Sequence, residues 1–368
     1  MHRGIIADID LGAVSANLRA VKALAGHSAV IAVVKADAYG HGAVEVSETL
    51  VGAGADYLAV AFTAEAVKLR EAGITAPIIV LFDPDLGDIL KYCLIPVLSD
   101  CKTALAFARE AERRKTRIPV HIKVDTGMGR LGLTDRPANQ ILEIAAEKGI
   151  VVEGIMSHLS EADIADPSFT KTQLDAFTAL KMELLKNGLH IKMFHIANSA
   201  AVMNIPEAHF DAVRPGLMLY GYSSCDRTAK ASHGASLQPV MTAKARLISL
   251  RRLQTGTPIS YARTFVAKRE SLIGVIAIGY ADGFSTRFSN NAEVLVKGKR
   301  APVVGRVCMD VTMIDLTEIE GVTEIDDVVI IGRQGTESIG ASELAKRIQT
   351  IPYEILTSLG SRAKRRYL

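Results

Sequence analysis

The sequence predicts an α/β protein: an N-terminal (β/α)8 TIM-type barrel over roughly residues 10–230, followed by a smaller, mostly β domain. Three observations carry this. Strand-like and helical stretches alternate through the first part of the chain. Past about residue 235 the long helical stretches give way to short apolar runs punctuated by Gly298, Gly305 and Gly332. Finally, Lys35, Asp125, Arg130, His158, Asn198, Ser199 and Arg214 each stand just after a strand-like run. A closed barrel gathers such residues on one rim, the face where barrel enzymes keep their chemistry. A doubly wound open sheet shows the same alternation, and this convergence is what favours the barrel.

Residues 5–9 read as a strand, and 11–25 as a helix with Leu11, Val14, Leu18, Val21 and Leu24 at helical spacing. Further strands are expected to end near Val34, Val60, Leu81, Leu98, Val124, Met156, Ile196 and Val213. Helices are expected between them at 44–51, 63–71, 86–92, 102–114, 138–148, 172–186 and 200–203. Gly73, Gly149 and Gly188 fall where helix C-caps belong. In the second domain, strands are expected at 242–250, 273–278, 293–296, 303–307, 311–316 and 328–331, with one late helix at 342–348. The division is placed at 1–234 and 235–368, within the Ser-, Thr- and Gly-rich stretch 225–234. A barrel of eight needs no ninth strand, so 5–9 is free to pair with the second domain.

The chain has 368 residues, 49% of them hydrophobic, enough for a sizeable core in two domains. Its net charge of +3 is mild, and no run of basic residues points to nucleic acid or a membrane surface. The four cysteines (Cys93, Cys101, Cys225 and Cys308) form no CxxC pair. No metal-ligand set is expected. Without a signal-like N-terminus or an apolar run long enough for a bilayer, a cytoplasmic protein is expected.

The chemistry centres on one segment. A short β-branched run ends at Lys35, followed by Ala36-Asp37-Ala38-Tyr39-Gly40-His41-Gly42. Most lysines at strand ends extend into water. A partly desolvated amine loses proton affinity instead, and the neutral form makes a Schiff base with an aldehyde. This segment resembles the lysine segment of the alanine racemases, enzymes in which the lysine carries pyridoxal 5′-phosphate. Val213-Arg214-Pro215-Gly216-Leu217 also matches that family, as do His195-Ile196-Ala197-Asn198-Ser199, Lys123-Val124-Asp125-Thr126-Gly127-Met128-Gly129-Arg130, Ser260-Tyr261-Ala262-Arg263, Ile278-Gly279-Tyr280-Ala281-Asp282-Gly283 and Gly305-Arg306-Val307-Cys308-Met309-Asp310. Alone, Arg-Pro-Gly is a turn and Asn-Ser an N-cap. Together, and in family order, they span nearly the whole chain.

The resemblance implies a homodimeric, pyridoxal-phosphate-dependent racemase that interconverts L- and D-alanine with two bases and supplies D-alanine for peptidoglycan. Lys35 would hold the cofactor as a Schiff base and act as one base. Tyr261 would act on the opposite face, in the partner chain's site. Arg214 would meet the ring nitrogen with a hydrogen bond and no transferable proton, and His158 would link Arg214 to Tyr261. Tyr39, Asn198, Ser199, Gly216, Leu217 and Tyr353 would take the phosphate. Arg130 would bridge the cofactor's phenolic oxygen and the substrate carboxylate. Met309 would offer its backbone N–H to that carboxylate, with Tyr280, Cys308 and Asp310 around it. Lys123 matches a lysine that several members carbamylate; otherwise it is an inward barrel lysine paired with an acid. Ala262 stands where many members have glycine. Two rivals share the lysine: a barrel decarboxylase, expected to face the ring nitrogen with an acid, and a non-enzymatic pyridoxal-phosphate carrier, expected to lack the second domain.

Overall fold

The computed structural model describes residues 4–223 and 236–368. The expected division at 225–234, and Cys225 with it, lies outside them. The described residues fall into two compact units, one from 14–38 and 43–237, the other from 1–13, 39–42 and 238–368.

Ile6–Ile9 (β1) opens the chain and Leu11–Ala25 (α1) follows. The strands of the first unit are Ala29–Val33 (β2), Tyr57–Val60 (β3), Ile78–Val80 (β4), Ile95–Leu98 (β5), Ile118–Lys123 (β6), Ile150–Met156 (β7), Met193–His195 (β8) and Ala212–Val213 (β9). They pair in parallel in the order β8-β7-β6-β5-β4-β3-β2-β9. Short runs such as Ala-Val-Ile-Ala-Val are apolar throughout, because each strand is covered on both faces. The two ends of the order meet through loop bonds: Asp211 N donates to Phe194 O at 3.0 Å and Arg214 N to Ala197 O at 2.9 Å. The result is a nearly closed eight-stranded barrel.

The intervening helices are Ala43–Gly52 (α2), Thr63–Glu71 (α3), Leu86–Lys91 (α4), Cys101–Arg113 (α5), Pro137–Ala146 (α6), Ser168–Lys186 (α7) and Ser199–Asn204 (α8). Several start on acids that satisfy orphan amides: Asp85 accepts from Asp88 N, and Asp100 from Thr103 N. Gly73 (φ 93°) and Gly188 (φ 79°) follow α3 and α7 in the left-handed region. Gly149 is not a C-cap. A Cβ there would lie 2.2 Å from the carbonyl oxygen of Ala108, so this glycine lets the loop before β7 press on the backbone of α5.

In the second unit the long strand Met241–Leu253 (β10) is followed by Pro258–Ile259 (β11), Phe265–Val266 (β12), Ser271–Ile276 (β13), Glu293–Val296 (β14), Lys299–Pro302 (β15), Thr312–Asp315 (β16), Asp327–Gln334 (β17), Glu337–Ile339 (β18) and Lys364–Tyr367 (β19). The main sheet runs β15-β14-β17-β10-β1-β19, with β13 on β10, β16 on β13 and β18 on β17. β1 is antiparallel to β10 and parallel to β19. The strand expected at 303–307 sits earlier, at β15. The amides of Gly305 and Val307 are taken by side chains, Asn290 Oδ1 at 2.6 Å and Ser289 Oγ at 3.0 Å, so they join no ladder. There are two late helices, not one: Ala341–Arg347 (α9) and Pro352–Gly360 (α10). Pro352 opens the latter, where its missing N–H is no loss.

Candidate active site

Lys35 follows β2, half-buried, and the chain then enters an unusual turn. Ala36, Asp37, Ala38 and Tyr39 all have φ between 52° and 55°. This is one turn of left-handed helix without a glycine. The Lys35 Nζ lies 5.8 Å from the centre of the Phe82 ring, and the Arg130 guanidinium lies 5.3 Å from the same ring. Burial and the charges of Arg130 and Arg214 push the Lys35 amine below the usual lysine range, with Glu65 opposing.

Arg214, 5% exposed, is held by four acceptors. Its Nη1 donates to His195 Nδ1 at 2.8 Å. Its Nη2 donates to Ser157 O at 2.7 Å, Ile196 O at 3.1 Å and His158 Nδ1 at 3.2 Å. Arginine has only donors, so both imidazoles accept on Nδ1 and carry their proton on Nε2. His195 passes its Nε2–H to His121 Nδ1, 2.8 Å away. Burial, and then Arg214, hold all three histidines well below the usual range, His121 at about 3. Burial brings Arg214 itself down to about 9, still cationic at neutral pH.

Lys123 ends β6, 2% exposed, with its amine pushed down to about 7 by burial, Arg214 and Arg130. Asp125 shapes the loop that follows: its carboxylate accepts from the amides of Gly127, Met128 and Arg130. Gln173, fully buried on α7, donates to His158 O at 3.0 Å and so ties down the loop after β7.

At the start of α8 the Asn198 side chain caps the helix, accepting from Ala201 N at 3.1 Å. Ser199 Oγ accepts from Gly216 N at 2.9 Å and Met218 N at 3.3 Å. The Gly216 amide, expected to take the phosphate, is thus bonded to Ser199 in this structure; Leu217 is fully buried beside it.

The remaining candidates belong to the second unit. The Tyr39 and Tyr353 rings are 5.7 Å apart, and burial pushes the Tyr39 hydroxyl upward, so it stays a neutral donor. Tyr261 is 71% exposed, between Ser260 and Ala262, which both have positive φ. It borders a cleft of about 750 Å³ with Tyr280, Arg306, Cys308 and Met309. Gly279 lets the Tyr280 loop sit on the Cys308-Met309 backbone, since a Cβ would lie 2.2 Å from Met309 O. Tyr280 N and Ala281 N donate to Cys308 O and Met309 O, both at 3.0 Å. The Met309 amide donates to no acceptor among the described residues. Asp310 is exposed. Cys308 Sγ lies 3.7 Å from Ser260 Oγ and 3.6 Å from Arg306 O.

The motifs left Glu65, Phe82, His121 and Gln173 without a role. Only Glu65 carried a local signal, as the acid at the third position of a helix. Among the described residues no group of three His, Cys, Asp or Glu could hold a metal ion, and no helix is long and apolar enough to cross a membrane.

Barrel and site together define an enzyme of the (β/α)8 class carrying an added β domain. Family models place it more closely: the alanine racemase N-terminal domain matches residues 9–224 and the alanine racemase C-terminal domain residues 240–367. An alanine racemase of Thermodesulfovibrio yellowstonii is 50% identical over 372 residues, covering 100% of this chain and 99% of that protein. One of Carboxydothermus hydrogenoformans is 42% identical over 370 residues, covering 100% of each. Among solved structures, the alanine racemase of Bacillus anthracis with bound L-Ala-P superposes with a TM-score of 0.93 at 34% identity, over 100% of this chain and 96% of that one. That of Bartonella henselae, with covalently bound pyridoxal phosphate, gives 0.88 at 30% identity over 100% of both. The chain belongs to the alanine racemase family.

Proposed function

We propose that this protein interconverts L- and D-alanine with pyridoxal 5′-phosphate, as a homodimer with shared sites, and supplies D-alanine for peptidoglycan. The observation that carries the reading is the setting of Arg214. A cation held on two histidines and two carbonyls offers the ring nitrogen a hydrogen bond without a proton to give, where the decarboxylase reading expects an acid. The donor set suits the cofactor: a lysine amine of depressed proton affinity, cationic Arg130 and Arg214, and hydroxyl donors at Ser199 and Tyr39.

Bound pyridoxal phosphate supplies an electron sink that eases removal of the substrate's Cα proton. Lys35 would hold it covalently and, as a free amine, take or return the Cα proton on one face. Tyr261 does the same on the other, from the partner subunit, which its 71% exposure suits. His158, whose proton sits on Nε2, donates toward that tyrosine and favours its ionised form. Arg130 would hold both the cofactor and the substrate carboxylate, and the free amide of Met309 would meet that carboxylate from the partner subunit. Asn198, Ser199, Gly216, Leu217, Tyr39 and Tyr353 would hold the phosphate, with Ser199 giving up the Gly216 amide to it. Tyr280, Cys308 and Asp310 narrow the mouth of the site. Lys123 as a carbamate would turn from a cation near Arg130 into an anion that steadies it. A small pocket favours alanine, and serine leaks through, because an apolar pocket rejects an added hydroxyl weakly.

The test is chiral chromatography of L-alanine incubated with the purified protein. An equal mixture of enantiomers is expected. Release of carbon dioxide or an amine would overturn the reading in favour of a decarboxylase. Tyr261→Phe is expected to lose about 10²–10⁴-fold in turnover while keeping the cofactor's absorbance; full activity in this variant would remove Tyr261 from the chemistry.

A further inference from the structure

Four successive residues with positive φ and no glycine are costly against the right-handed form, because each Cβ crowds the backbone. Such a turn persists only where its surroundings over-determine it. The restraint comes from α3. Glu65 Oε1 accepts from Ala36 N at 2.6 Å, while Oε2 accepts from Ala61 N at 2.7 Å and Phe62 N at 3.1 Å. Three amide donors on two oxygens call for an ionised carboxylate, since a protonated one would put its own donor against an N–H. The residue after Lys35 is thereby tied to the loop after β3. Lys68, on the next turn of α3, lies 3.4 Å from Asp37 Oδ1, which also accepts from Ala43 N at 2.9 Å. The same helix thus holds the turn at two successive residues.

The charge of Glu65 matters separately from its hydrogen bonds. Arg130 and Arg214 both disfavour a proton on Lys35; Glu65 is the group acting the other way. Asp37 and Lys68 pair with each other behind the turn. We infer that Glu65 is a positioning residue for Lys35: it fixes the backbone turn behind the amine and is the anion set against the cations around it. This rests on the reading of Lys35 as the cofactor-bearing base.

The test uses the full chain, freed of cofactor with hydroxylamine and dialysed, in wild-type, Glu65→Gln and Glu65→Asp forms. Loading of pyridoxal 5′-phosphate is followed by absorbance across pH, then trapped with borohydride and mapped by peptide. Glutamine keeps the size but loses the charge and one acceptor. Its loading midpoint is expected at lower pH than wild type, with loading about tenfold slower at the plateau, the loss of a charge-assisted hydrogen bond. Aspartate keeps the charge but not the reach. It is expected to load slowly with a midpoint near that of wild type, and it remains informative if the glutamine variant does not fold. Variants that load like wild type, or an aspartate midpoint displaced as far as the glutamine one, would overturn the inference alone. Wild type not labelled at Lys35 would overturn the cofactor assignment, and this inference with it.

Discussion

Arg214 has donors and no acceptor, and that asymmetry orders the residues around it. Two imidazoles must present Nδ1 to it, and one of them, His195, must hand its own N–H to a third, His121. Protonating any of the three would set donor against donor, which adds to the burial that already keeps them neutral. Lys123 adds a titration of its own. Its amine binds a proton below about 7 when folded, against 10.5 for an ordinary lysine. Between these values the unfolded chain holds more protons than the folded one, so stability rises with pH across the window. In buffers free of carbon dioxide, the thermal midpoint of wild type is expected to climb from the lower to the upper end of that window relative to Lys123→Met. Parallel curves would mean Lys123 is not the group responsible. The neutral amine is also the form that adds carbon dioxide. With ¹³C-bicarbonate a carbamate resonance is expected in wild type and not in Lys123→Met; its absence from wild type would leave Lys123 unmodified.

Elements were legible in the sequence where one residue pattern had one physical cause. Apolar runs ending at Val34, Val124 and Met156 became barrel strands because burial on both faces demands such runs. The loops were less legible. Nothing in Ala36-Asp37-Ala38-Tyr39 favours a left-handed turn, since the cause is a carboxylate 29 residues downstream. The run 303–307 alternates like a strand, and Val303 and Val304 do donate to backbone carbonyls, but side chains of the 289–290 turn claim the amides of Gly305 and Val307. Pro352 and the apolar Ile355, Leu356 and Leu359 did announce α10, in a stretch where only a contact residue was expected. Gly149 and Gly188 look alike in sequence, each closing a helical stretch, yet they answer to different constraints. Gly149→Ala must push into the Ala108 carbonyl and is expected to cost about 1–3 kcal/mol by urea unfolding. Gly188→Ala meets nothing within 4 Å and is expected to carry only the left-handed penalty, about 1–2 kcal/mol. The alanine at 149 also perturbs α5, which a local probe such as hydrogen exchange across Cys101–Arg113 reads directly; exchange unchanged there would contradict the close-approach role.

At the scale of the whole molecule, the proposed sharing of sites makes a mixing prediction. Lys35→Ala and Tyr261→Phe each inactivate, in different units of the chain. Co-expressed, they form mixed dimers in which one of the two sites has both native residues. About a quarter of wild-type activity is expected from a random mixture; none would mean that both residues come from the same chain. The topology carries a further consequence, for the order of events during synthesis. β1 is made first, yet its two neighbours in the sheet are β10 and β19, and Asp8 is bonded to Arg366, 358 positions away. On the ribosome the barrel strands all emerge while β1 has no neighbour and shows a bare edge. A nascent chain halted before residue 364 still leaves one side of β1 open to other chains. The last strand therefore works as a clasp: until it leaves the exit tunnel, the second unit cannot finish folding, however early its first strand was made.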